Sequence, residues 1–475
     1  MKNSDPIWEN VDKHQEAFIG LANRVFDVPE TLYNEYRSVA EHRDMLQQQG
    51  FHITEAAAGI PTAIVGEAGD NGPVIAILGE YDALPGLSQK PDVAVHDEIE
   101  AGGNGHGCGH NLLGSAALLA ATAVKDWIEE TGVNARVRYY GCPAEEGGAA
   151  KTYMVREGLF DDVDAAITWH PASYTGVSHP SSLANCRIDF TFHGKASHAA
   201  ASPELGRSAL DGVELMNVGI NYLREHMPDD ARVHYAYIDA GGEAPNVVQS
   251  QATVRQLVRS RDLSGLRDLL ERVKKIAEGA ALMTETTVES SIFSGVSNML
   301  GNPPLEELME RELQRLGPVP FDDEDLEFAK EIRKTLTQDE IEATFHQVSQ
   351  PVEPDLVLCD FIAPLSRPIE KPTGSTDVGD VSWAVATVQA WIATSAIGTP
   401  FHTWQLTAQG KSSAAHKGMI HAAKLMGATT KALIEDADLL ASVKAAHSAK
   451  LKKTPYVCPI PPEVKPPVIL PPTEL

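Results

Sequence analysis

Four short segments of this 475-residue chain carry side chains able to bind metal or move protons. In residues 105–111, GHGCGHN, Cys108 and His110 stand two apart among glycines, which let the backbone approach a bound object closely. Thiolate and imidazole are both strong ligands for zinc-like metals, although a small buried thiol beside a hydrogen-bonded histidine would leave the same trace. In residues 141–147, GCPAEEG, Glu145 and Glu146 adjoin in a Gly-rich loop. One can bind metal while the other deprotonates water; two solvated loop acids are the plain alternative. His170 in TWHP (168–171) and His416 in SSAAHKG (412–418) add two imidazoles, each equally readable as a structural histidine.

These groups act together only if the fold converges on them. Residues 74–78, VIAIL, form a continuous apolar run, as in a strand buried on both faces. Residues 135–140 and 165–168 are strand-like and end just before polar residues, and residues 112–127 read as an Ala-rich helix. Alternating strands and helices predict an α/β catalytic domain with a largely parallel sheet flanked by helices. Ligands in such folds bind beyond the carboxyl ends of strands. Three of the four segments follow consecutive strands, so their Cys, Glu and His should meet.

The first 26 residues suit an amphipathic helix, with Ile7, Val11, Phe18, Leu21 and Val25 on one face. Near Asn185 the pattern changes. Residues 187–192 alternate strictly, and then come a helix (208–224), strands (233–238, 252–260) and a helix (263–281). That order predicts a smaller α+β domain, 184–294, inserted into a catalytic domain of 1–183 and 295–475. The catalytic pattern resumes with a strand at 387–393 and a helix from Ser412. The many charges of 303–338 read as a solvated helical excursion. Residues 455–475 hold Pro-Pro pairs and predict an extended arm, either docked on a partner subunit or unpacked.

Composition narrows the function. The length favours two domains, and an apolar fraction of 43% suffices for sizeable cores. A formal net charge of −27 argues against a nucleic-acid partner, which needs clustered Lys and Arg. No apolar run reaches the roughly 18 residues of a membrane span. The N-terminus lacks a basic start followed by an apolar stretch, and the five cysteines are odd in number and scattered, so a reducing, cytoplasmic setting is expected.

Eight motifs in one order carry a resemblance: GEYDALPG (79–86), GHGCGHN (105–111), PAEEGG (143–148), WHP (169–171), GKASHAA (194–200), APNVV (244–248), GSTDVGDVSW (374–383) and SAAHKGM (413–419). Over nearly the whole chain they resemble the amidohydrolase branch of the dinuclear metallo-aminoacylase/carboxypeptidase family. That likeness implies two divalent metal ions, zinc or manganese, held by Cys108, His110, Glu146, His170 and His416, with Cys108 bridging. Glu145 would be the general base. Paired ions supply Lewis acidity and a nucleophile at neutral pH. Asp82 and Asp377 would orient the ligands. The inserted domain would be a dimerisation lid whose His198 reaches the partner's site to stabilise an oxyanion, while Asn246, Arg261 and His402 contact substrate. Other branches have a histidine ligand where this chain has Glu80, and many relatives have Asp at the position of Asn111. His106 and the remaining cysteines read as structural.

The implied substrates are N-acyl or N-aroyl amino acids, led by an aminobenzoyl-glutamate-like conjugate. Arg261, Arg207 and Lys195 are the cations near the lid motifs that an acidic leaving group would need. A homodimer is expected, or a heteromer with a related subunit. A dipeptidase with the same metals and a non-catalytic binding protein are the rival readings.

Overall fold

The computed structural model describes residues 4–367 and 374–470. Twelve strands are present among them: β1 (His52–Glu55), β2 (Ile64–Ala68), β3 (Val74–Glu80), β4 (Arg136–Cys142), β5 (Ala165–Ala172), β6 (Thr175–Val177), β7 (Ala184–His193), β8 (Arg232–Asp239), β9 (Gln251–Ser260), β10 (Thr287–Val296), β11 (Ile362–Ala363) and β12 (Thr387–Ala393). Eight form a mixed sheet in the order β1-β2-β4-β3-β5-β12-β6-β11. Its centre, β4-β3-β5-β12, is parallel.

The parallel centre follows from composition. Every residue of β3 is buried, and each of Ile75, Ile77 and Leu78 contributes about 1.5–3 kcal/mol by leaving water. The helices Pro6–Phe26, His110–Thr131 and Ser413–Glu435 pack together over one face. A second apolar cluster covers the other face around Leu78, Tyr140, Tyr153 and Val381. Trp169 is fully buried in β5, and its indole N–H donates to the Leu113 carbonyl at 3.1 Å, tying that strand to the central helix.

The second sheet, order β10-β7-β9-β8, is antiparallel and occupies Ala184–Val296 with the helices Ala209–Leu223 and Leu263–Thr284. Alternate residues of β7 and β9 face those helices in a separate apolar core. Four strands stand where the sequence pattern suggests three. β10 escapes notice because the first half of TVESSIFSGV is largely exposed.

Two other expectations change. The excursion at 303–338 contains the helices Pro303–Leu316 and Asp323–Arg333, and Leu305, Leu308, Met309 and Leu313 of the first are fully buried in the main core. Its charged side hides an apolar stripe. The proline-rich arm, up to Leu470, lies on its own chain. Ile460 is buried, Arg156 donates to the carbonyls of Pro461 and Val464, and Tyr36 donates to that of Ile469. Residues 471–475 of the expected arm lie outside the described residues.

Candidate metal centre

The loops after β3 and β4, with the last residues of β5, meet at one point beside the N-terminus of the helix His110–Thr131. Gly109, at φ +75°, opens that helix and lets Cys108 and His110 turn the same way; a Cβ there would press on Pro171 at 3.0 Å. Gly105 approaches so closely that a Cβ would sit 1.8 Å from the Leu87 carbonyl oxygen. These contacts explain the glycines of GHGCGHN.

Among the described residues, three overlapping groups present potential ligand atoms within 4.8 Å of one another: Cys108–His110–His170, Cys108–Glu146–His402 and Glu80–His110–Glu145. Cys108 Sγ lies 3.5 Å from His170 Nε2, and His402 Nε2 lies 3.3 Å from Glu146 Oε1. His402 stands at the mouth of the cluster, its side chain 52% exposed, in a backbone conformation with φ +59°. Its N–H donates to the Gly107 carbonyl at 2.8 Å, which locks the PFHT turn onto GHGCGHN. His416 has another partner. Its Nε2 pairs with Asn23 Oδ1 at 3.0 Å, and it belongs to none of the three groups.

Fixed partners orient these groups. Asp82, buried, accepts from His110 Nδ1 at 2.9 Å and from the Glu146 N–H at 3.0 Å. Burial opposes protonation of this ring, but the charges of Cys108 and Asp82 outweigh it and hold its pKa well above the ordinary imidazole value. A metal would take the place of the Nε2 proton while Nδ1 keeps donating to Asp82. Asp377 makes no cap bond at the helix it precedes; it pairs with Lys151 Nζ at 2.7 Å. On the far side of the EEGG loop, Glu35 Oε1 accepts from the Ala144 N–H, and Tyr33 donates to the Gly148 carbonyl. His106 is structural: its Nε2 meets the Val25 carbonyl at 3.1 Å, and burial holds its pKa down at about 3.

The electrostatics fit a cation. Burial, then the charges of Glu80 and Glu146, push Glu145 well above the ordinary carboxyl range. Burial, then Glu146, does the same to the Cys108 thiol. Burial also opposes ionisation of Glu146, but the His402 ring beside it and the His110 charge outweigh it and hold that carboxyl low. Glu80 Oε2, His110 Nε2 and Glu146 Oε1 are buried without a hydrogen-bond partner among the described residues. Soft sulfur, imidazoles and carboxylates gathered around such atoms are a donor set for a divalent ion of the zinc or manganese kind.

His198, Asn246 and Arg261 are all exposed. His198 Nδ1 accepts from the N–H groups of Ala200 and Ala201, so the ring proton sits on Nε2. The Asn246 carbonyl accepts from the Ala199 N–H at 3.0 Å, joining two of the motif loops.

A model of peptidase family M20/M25/M40 matches residues 76–355. The chain belongs to this family. It is 45% identical over 470 residues to one of the subunits of p-aminobenzoyl-glutamate hydrolase from Escherichia coli, covering 97% of this chain and 98% of that one. It is 28% identical over 460 residues to the mouse Xaa-Arg dipeptidase, covering 94% and 92%. A putative aminohydrolase from methicillin-resistant Staphylococcus aureus shares the fold at a TM-score of 0.63 and 16% identity, over 90% of this chain and 98% of that one. Like other members of the family, this chain is a metal-dependent hydrolase of amide bonds.

Four residues given no ligand or pocket role from sequence adjoin this site. Glu80 Oε2 lies 3.2 Å from His110 Nε2, and Lys151 clasps Glu80 from below at 2.6 Å. Arg187 donates to the Gly147 carbonyl at 3.0 Å and shares the open face of the small sheet with Arg259. Of the expected cations, Arg207 is engaged with Glu285 at 2.9 Å. The alternation of β7 and β9 could have exposed the arginine pair; nothing in the sequence marks a buried lysine.

Proposed function

We propose that this enzyme hydrolyses the amide bond of an N-aroyl amino acid, an aminobenzoyl-glutamate-like conjugate, at a two-ion centre. The observation that carries the reading is the convergence of Cys108, His110, Glu146, His170 and His402 beside Glu145. Two of the ligand groups share Cys108, which supports it as a bridge between two ions. The ions would supply Lewis acidity and an acidified water. The His402 position replaces His416 in the expected ligand set, since His416 is tied to Asn23.

The chain's own groups supply the rest. Glu145 takes a proton from the attacking water and delivers it to the departing amine; a carboxyl held above its ordinary range suits both tasks. Asp82 keeps His110 turned with Nε2 toward the centre. Nε2–H of His198 is the donor for the oxyanion, brought in by a second copy of the chain or by movement of the small domain. Arg187 and Arg259 offer charge for a glutamate carboxylate, Arg255 being held by Asp189 at 2.6 Å.

Assembly belongs to the same reading. β8 is an edge strand, and Tyr235, Tyr237 and Ile238 on it are exposed, as are Val218 and Tyr222 of the neighbouring helix. Pairing two such edges would bury them, and a homodimer is the assembly put forward. The Escherichia coli relative is one subunit of its hydrolase, so a related chain is the alternative partner that a mass measurement would reveal. None of the described helices is long and apolar enough to cross a membrane. A cytoplasmic setting remains part of the proposal, supported by five free cysteines.

The test is hydrolysis of aminobenzoyl-glutamate against acyl amino acids and dipeptides, on metal-stripped protein reloaded with zinc or manganese. Metal-restored cleavage of the glutamate conjugate, lost by about 10²–10⁴-fold in Glu145→Gln, is the expected result. Cleavage confined to dipeptides would overturn the substrate and favour the dipeptidase. Inactivity throughout, with metal bound, would overturn catalysis by this chain alone.

A further inference from the structure

Lys151 is wholly buried in the first turn of the helix Ala150–Arg156. A lysine so placed needs partners for its charge, and the partners it has point somewhere. Its Nζ lies 2.6 Å from Glu80 Oε1 and 2.7 Å from Asp377 Oδ1, and its main-chain N–H donates to Asp377 Oδ2 at 2.9 Å. Glu80 is the last residue of β3, Lys151 follows β4, and Asp377 precedes the helix Val378–Ala384. Three elements are thus pinned by one ammonium group.

The clamp takes one oxygen of Glu80 and leaves the other. Glu80 Oε2 lies 3.2 Å from His110 Nε2 and has no hydrogen-bond partner among the described residues. With Glu145 these two residues form one of the three groups of converging ligand atoms. The helix that carries Lys151 is itself fixed, since Thr152 donates to Asp380 at 2.8 Å and Arg156 grips the proline-rich arm.

We propose that Lys151 is a positioning residue that locks Glu80 so that its free oxygen, alongside His110 Nε2, faces the metal centre and completes its donor set. The proposal rests on the reading of this cluster as a metal centre and is independent of the substrate. Removing the lysine frees the Glu80 carboxylate to rotate, and the donor set loses its fixed edge without losing any of the five principal ligands.

The experiment titrates cobalt(II) into metal-stripped full-length protein and records the visible spectrum, whose intensity reports coordination geometry. Two variants are compared with wild type. Lys151→Met combined with Asp377→Asn removes one buried cation and one buried carboxylate, so the net charge of the network is unchanged. Glu80→Gln keeps the shape and removes the delivered charge. Both are expected to bind cobalt about tenfold or more weakly and with an altered spectrum. Glu80→Gln should melt close to wild type, and the double variant lower, because its Glu80 carboxylate stays buried without a cation. A double variant with wild-type affinity and spectrum would reduce Lys151 to charge balance and overturn the proposal. Should the double variant not fold, Glu80→Gln decides alone, and wild-type behaviour there overturns it too. Wild-type protein that binds no cobalt would sink the metal centre itself, whereas failure to hydrolyse aminobenzoyl-glutamate would touch only the substrate.

Discussion

The two halves of the site are built to different standards. In the catalytic domain, His110 is held by Asp82, Glu80 by Lys151, and the Glu145 loop by Glu35, Tyr33 and Arg187, most of them out of solvent. In the small domain, His198, Asn246 and Arg261 stand exposed; His198 accepts only from its own loop, and the Asn246 carbonyl only ties that loop to its neighbour. Buried networks fix geometry before substrate arrives; exposed loops acquire it when something closes over them. One half is therefore preorganised, and on the proposed function the other acquires its geometry only when a second surface meets it.

The sharpest test of that contrast is His198→Ala. If its Nε2–H meets the oxyanion only after closure, kcat should fall about 10²–10³-fold while metal content stays unchanged. Mixing His198→Ala chains with Glu145→Gln chains should recover activity if the histidine serves a partner copy. Mixtures as dead as their parents would assign closure to the same chain. A His198→Ala protein with wild-type kcat would leave the small domain without a catalytic part.

Next in size is the contrast between two histidines of the large domain. His402→Ala should cost about 10–100-fold in metal affinity, measured by competition with a chelator. His416→Ala should leave metal affinity within about threefold, since its ring holds Asn23 and not the cluster. Equal losses in both would return His416 to the ligand set.

A smaller effect belongs to the seam between the halves. Burial, then the neighbouring Arg259 and Arg255, lower the pKa of Arg187, the sign of cations crowded without enough counter-charge. A substrate carboxylate would relieve that crowding. Arg187→Ala should raise KM about tenfold for a glutamate conjugate and much less for a neutral acyl amino acid, because a charge-assisted hydrogen bond is worth about 1.5–3 kcal/mol. A uniform rise across the panel would mean the arginine only props Gly147.

The same contrast governs what can be read from sequence. β3 and β7 announce themselves through an unbroken apolar run and a strict alternation, because burial on two faces or one writes those patterns directly. Glu146 and His170 sit at or just beyond such strands, and Cys108 and His110 stand where the loop that follows β3 enters the next helix, so their meeting is legible. His402 reads as a substrate contact because it sits in a turn whose left-handed backbone leaves no periodic trace, while His416, near a helix start, looks better placed for a ligand. Glu80 and Lys151 are charges inside the fold, and a charged letter ordinarily signals surface. β10 reads as loop for the opposite reason: much of its first half is exposed, and only Val288 and Ile292 of the strand pack on the small core.

The least effect, and one confined to stability, tests how firmly the preorganised half is held. Glu35 is fully buried, and Oε1 accepts the N–H groups of Tyr33 and Ala144, the latter next to Glu145. Burial first, and the Asp82 charge second, raise its pKa to about 8. The unfolded chain ionises it near the ordinary value of about 4.3. Folding therefore takes up a proton between these two pH values. The Glu35 contribution is fully present below the unfolded pKa, declines as pH rises, and is lost once pH passes about 8. Gln at this position keeps a carbonyl oxygen for both N–H groups and has no charge to bury. Urea unfolding of metal-stripped Glu35→Gln should thus gain on wild type between pH 5 and pH 8, by on the order of a few kcal/mol. Parallel curves across that range would mean that Glu35 ionises freely in the fold, and that the loop carrying Glu145 is held more loosely than its hydrogen bonds imply.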